Sequence, residues 1–77
     1  MPVRILSELK PKETGKIVKV SGKGKVHRRI LDMGVVSGTL VEVQRIAPLG
    51  DPIEIRVKGY NLTLRKEEAK NILVEVD

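Results

Sequence analysis

Two spacings of apolar residues divide the chain. From Ile53 to Lys58 the alternation is strict: Ile53, Ile55 and Val57 on one side, Glu54, Arg56 and Lys58 on the other. A period of two is the signature of a half-buried strand. Lys16 to Ser21 and Thr39 to Ile46 are rich in β-branched residues and predict two earlier strands. Asn61 to Arg65, with Leu62 and Leu64 inward, predicts a fourth, and Ile72, Val74 and Val76 alternate as a fifth. The period changes between Lys25 and Met33, where Val26, Ile30 and Met33 fall at i, i+4 and i+7. That spacing predicts a helix with one apolar face. Gly34 follows it, at the position of a left-handed helix stop.

The connections are punctuated as turns. Ile5, Leu6 and Leu9 form an apolar lead-in, read as one helical turn capped by Ser7 and broken by Pro11. Ser21-Gly22-Lys23-Gly24 is a turn, Gly59-Tyr60 another, and Pro48 to Pro52 a rigid hairpin loop. Lys66 to Ala69 suits one short helical turn, with Glu67 and Glu68 favoured by the helix dipole. There is no repeat and no linker, so residues 1–77 are read as one domain. The predicted architecture is mainly β: a small closed or half-closed SH3-like barrel of about five strands with one inserted helix. Closure would protect edge strands that so short a chain cannot cover with helices.

Composition restricts what fills this frame. Phe, Trp and Cys are absent and there is one Tyr, so the core must be Val, Ile and Leu, with no disulfide to staple it. No apolar run approaches the ~20 residues of a membrane span, and the N-terminus becomes charged too soon for a signal peptide. The expectation is a cytoplasmic protein without direct membrane insertion. The net charge of +5 is uneven. Residues 4–29 hold nine Lys or Arg against Glu8 and Glu13, an asymmetry that suits an acidic or anionic partner.

Chemistry is hard to find. His27 is the one histidine, and Asp32, five residues on, is out of helical register with it, so no metal site is expected. Ser7, Ser21 and Ser37 lack a Gly-x-Ser-x-Gly context, so no catalytic residue is expected. Gly22-Lys23-Gly24-Lys25 is followed by Val26, which fails the phosphate-loop pattern. The basic half leaves a nucleic-acid-binding module as the competing reading. Against it, Tyr60 is the only base-stacking side chain. Protein recognition remains. Leu49, between two prolines, has no periodic reason to be apolar. Arg28, Arg29 and Asp32 lie on the polar side of the helix end, and Tyr60 sits in a turn with the amphipathic character of interface residues.

The helix end Arg28-Arg29-Ile30-Leu31-Asp32-Met33-Gly34-Val35 and the loop Ala47-Pro48-Leu49-Gly50-Asp51-Pro52 stand in a specific order. With Leu6 to Pro11, Gly15-Lys16-Ile17, Gly38-Thr39, Lys58-Gly59-Tyr60 and Leu64-Arg65, the chain resembles the FeoA family of ferrous-iron-transport proteins over nearly its whole length. Ser37, where the family often has proline, and Lys12, where glycine is common, depart from the pattern at turns. The resemblance implies an SH3-like barrel without catalysis, cofactor or bound metal. It implies docking beside FeoB, the membrane Fe(II) transporter with a cytoplasmic GTP-binding domain. Arg28, Arg29, Asp32, Leu49 and Tyr60 are then the candidate partner-binding residues, and self-association through open strand edges is compatible with such a fold.

Overall fold

The computed structural model describes residues 2–22 and 24–76; Lys23, in the predicted turn, lies outside them. Six strands form one antiparallel sheet: β1 (Val3–Ile5), β2 (Thr14–Val20), β3 (Leu40–Ile46), β4 (Ile53–Val57), β5 (Tyr60–Leu64) and β6 (Ile72–Glu75). Two helices interrupt them, α1 (Gly24–Asp32) and the single turn α2 (Lys66–Ala69). The strand order is β1-β6-β2-β3-β4-β5, and among the described residues no ladder joins β1 to β5. The architecture is mainly β as predicted, but the sheet is open and has six strands, not about five. The extra strand is β1. Three residues around Arg4 carry too little alternation to register as a strand, and only pairing with β6, Val3 opposite Glu75 and Ile5 opposite Leu73, makes them one.

Two bulges bend this sheet. Val18 is the unpaired residue of β2, between Ile17 opposite Val74 and Lys19 opposite Leu73. Gln44 is the unpaired residue of β3, between Val43 opposite Ile55 and Arg45 opposite Glu54. Each bulge shifts the alternation by one residue, so buried Ile17 is followed inward by Val20, and buried Val43 by Ile46. That shift explains why neither strand shows the strict alternation of β4. Gly15 lies in β2 beside β6, next to the pairing of Lys16 with Glu75. A Cβ there would stand 3.0 Å from the Val74 Cβ and 3.2 Å from the Glu75 carbonyl oxygen, so the close approach favours glycine.

The core is aliphatic throughout, built from Leu6, Leu9, Ile17, Ile30, Val35, Val41, Val43, Ile53, Ile55, Val57, Leu64, Ala69, Ile72, Val74 and Val76. Leu6 and Leu9 enter it from a 3-10 turn at Leu6–Glu8. Ile5, not Ser7, occupies the cap position of that turn, and no side chain caps it. Ser7 lies inside the turn instead, because β1 carries extended backbone up to Ile5.

Helix α1 ends as its sequence predicts. Gly34 has φ 88°, its N–H donates to the Leu31 carbonyl at 2.9 Å, and the Val35 N–H donates to the Ile30 carbonyl at 3.3 Å. Those two bonds, with Ile30 and Val35 both buried, make a complete Schellman stop. The predicted apolar face is shorter than its spacing suggests. Ile30 is buried and Met33 packs against the core, but Val26 is 41% exposed. The core reaches only the last turn of the helix.

Candidate docking site

The Pro48–Pro52 loop is held at three points. The Ala47 N–H donates to the Pro52 carbonyl at 3.1 Å, and the Gly50 N–H to the Ala47 carbonyl at 2.7 Å. The Asp51 carboxylate accepts the backbone N–H of Lys66 at 2.9 Å, which satisfies a free donor at the start of α2. Leu49 sits at the tip of this braced loop and is 93% exposed. It caps no end of the sheet.

The helix end is bound inward. The Arg29 guanidinium meets the Glu68 carboxylate at 3.0 Å, and Glu68 is 5% exposed. The other oxygen of Glu68 accepts the Arg65 N–H at 2.9 Å. Glu68 is thus both the N3 acid of α2 and the anchor for α1. Tyr60, predicted as a turn residue, is instead the first residue of β5, and its hydroxyl donates to the Met33 carbonyl at 2.6 Å. That bond satisfies one of the carbonyls left free at the end of α1.

Two open hollows lie beside the loop. Arg29, Asp51, Pro52, Thr63, Arg65 and Glu68 line one of about 470 Å³. Arg45, Ala47, Pro48, Pro52, Glu54 and Thr63 line the other, of about 320 Å³. They share Pro52 and Thr63 and so form one trough along the loop. Its acids are engaged: Asp51 by the Lys66 N–H, Glu68 by Arg29, and Glu54 by Arg45 at 3.0 Å and Asn61 at 3.3 Å.

Of the sequence candidates, the fold brings Arg29 and the Leu49 loop to this trough. Arg28 is on a different surface, lining a hollow with Gly24 and Lys25. Asp32 is exposed at the helix end. Arg29 and Tyr60 both have structural partners, so neither is the free contact the sequence suggested. Glu68, Asp51, Thr63 and Arg65 were missed. Glu68 stands three residues after Arg65, the spacing of a capping box, but arginine in place of serine or threonine hides the pattern. Among the described residues no group of three His, Asp or Glu could hold a metal ion, and no helix is long and apolar enough to cross a membrane.

An open, bulged six-stranded sheet with one inserted helix and a braced exposed loop defines a small SH3-like domain. The family model for the FeoA domain matches residues 5–76, and the chain belongs to that family. The FeoA-like protein of Clostridium acetobutylicum is 46% identical and superposes with a TM-score of 0.90, over 99% of this chain and 88% of that one. The Stenotrophomonas maltophilia FeoA, solved with zinc and described as a prokaryotic SH3 domain protein, is 28% identical with a TM-score of 0.79. It covers 91% of this chain and 87% of its own. A Porphyromonas gingivalis fusion of Fe(2+) transport protein A with the Fe(2+) transporter FeoB is 45% identical over 71 residues. The match takes in 92% of this chain and 8% of that relative's length. The family is thus associated with ferrous iron transport, and in one relative its domain is joined to the transporter itself.

Proposed function

We propose that this chain is a non-catalytic accessory domain of ferrous iron uptake. It docks on the cytoplasmic region of a FeoB-type GTPase-transporter and modulates or assembles the transporter through that contact. The observation that carries the reading is the covalent union of a 45% identical domain with FeoB in a single chain. Two domains joined in one protein meet at high effective concentration, and a separate chain must supply affinity in its place. Leu49 supplies an apolar anchor on a loop that is already ordered, so little freedom is lost on binding. Arg28 and Asp32 add exposed charge on the helix side. The domain reaches the inner face of the membrane through this partner.

The test is binding of the purified chain to the soluble cytoplasmic region of FeoB from the same organism. Leu49→Asp should weaken binding at least tenfold while leaving the melting temperature unchanged, and Arg28→Glu should slow association. Wild-type affinity in both variants would remove the site assignment, and no binding by the wild-type chain would remove the docking reading itself.

A further inference from the structure

A second apolar residue stands far outside the core. Leu40, the first residue of β3, is 72% exposed. Its neighbours Val41 and Val43 point inward and are buried, so Leu40 and Glu42 face out. The ladders fix what surrounds it. Lys16 of β2 stands opposite Leu40. On the other side Val41 pairs with Val57 and Glu42 with Arg56, which brings Lys58 beside Leu40. Leu40, Thr14, Glu42, Arg56 and Lys58 line an open hollow of about 400 Å³.

An isolated exposed leucine is ordinary. This one is ringed by three cations, Lys16, Arg56 and Lys58, none of which is in an ion pair among the described residues. The one acid in the hollow, Glu42, accepts a hydrogen bond from Gln44 at 2.6 Å. The next acid, Glu75, lies across Lys16 on the far strand and makes no ion pair with it.

We propose that this face is a second docking surface, and that its occupant is an acidic polypeptide segment carrying an aliphatic anchor. The anchor covers Leu40, and its flanking carboxylates meet Lys16, Arg56 and Lys58. Charge complementarity selects this occupant. A second copy of the chain carries the same net charge of +5, so charge complementarity does not select it. A single-stranded nucleic acid finds no aromatic ring in this hollow to stack on. The face is separate from the Leu49 loop, because Leu40 and Ile46 are the two ends of β3, roughly 20 Å apart at ~3.3 Å per residue. A domain with anchors at both ends of one strand can hold two partner segments at once, and the inference does not depend on the identity of the transporter.

Amide chemical-shift titration of the full chain tests this, with three ten-unit probes: an alternating Asp-Leu peptide, an all-Asp peptide and oligothymidylate. The expected result is saturable binding of the Asp-Leu peptide, with the largest shifts at Leu40, Glu42, Arg56 and Lys58. The all-Asp peptide should bind at least fivefold more weakly. Leu40→Ser and Lys58→Glu should each weaken binding about tenfold without changing the melting temperature. Leu49→Asp should leave it unaltered, so this titration and the FeoB experiment fail independently. The proposal is overturned by absent or unsaturable binding, by shifts centred elsewhere, by equal affinity for the all-Asp peptide or oligothymidylate, or by an unchanged Leu40→Ser variant.

Discussion

The helix end at residues 28–34 and the loop at residues 47–52 look alike in the sequence, as two unusual segments mixing charge, glycine and an apolar residue. The fold treats them oppositely. In the helix end, every distinctive residue but Arg28, Leu31 and Asp32 is drawn into the structure. Ile30 enters the core, Gly34 makes the stop, Arg29 pairs with Glu68, and the Met33 carbonyl takes the Tyr60 hydroxyl. In the loop, the polar residue is used inward and the apolar one is left out: Asp51 holds α2, and Leu49 is exposed. An unusual motif is therefore not a site by itself. The informative residue is the one whose chemistry its own surroundings do not use.

Mutations should separate the two segments by their cost to stability. The largest loss is expected from Ile30→Ala, about 2–5 kcal/mol by denaturant unfolding, because the site is closed on all sides by core residues. A loss below 1 kcal/mol would mean that the helix is loosely docked. Gly34→Ala comes next, at about 1–3 kcal/mol, since it places a side chain at φ 88° and a Cβ 2.9 Å from the Tyr60 hydroxyl oxygen. Tyr60→Phe alone should cost about 1 kcal/mol for the lost bond to Met33. In the double variant the contact is relieved but the backbone strain remains, so its loss should be smaller than the sum of the two single losses. Strict additivity in thermal melts would refute the steric part of that account.

The ion pair gives a smaller effect. Arg29→Ala should cost about 1 kcal/mol, a modest figure because the arginine side chain is 59% exposed and water screens the pair. Glu68→Ala should cost more than Arg29→Ala, because it also removes the acceptor for the Arg65 N–H. A double-mutant cycle with zero coupling would show that the two residues contribute separately. The smallest stability effect belongs to Leu49→Asp, within about 0.5 kcal/mol. The same change should have the largest effect on FeoB binding. If it instead unfolds the chain, the contrast between the two segments collapses.

Much of the fold was legible in advance. The strict alternation at Ile53–Val57 predicted β4 closely, and Gly34 predicted the helix stop, because both signals are local. The short helix at Lys66–Ala69 lies where the sequence places it, with Glu67 and Glu68 as the acids of its first turn. The sequence does not reveal that Glu68 is also buried and paired with Arg29 of α1. Its partner lies 39 positions away in sequence, beyond any periodic pattern. The missing strand β1 and the bulges at Val18 and Gln44 failed for a related reason. Three residues do not make a period, and a bulge erases the period that defines a strand.

Local signals and composition already settle which segments extend, where the helix stops, that the core is aliphatic, and the family to which the chain belongs. Which polar groups are already satisfied depends on the fold. It left the sheet open, paired Arg29 with Glu68, gave the Tyr60 hydroxyl to α1, and left Leu49 and Leu40 uncovered at opposite ends of one strand. Backbone preference and hydrophobic period act over a few residues, whereas burial and pairing are set by segments that meet only when the chain closes on itself.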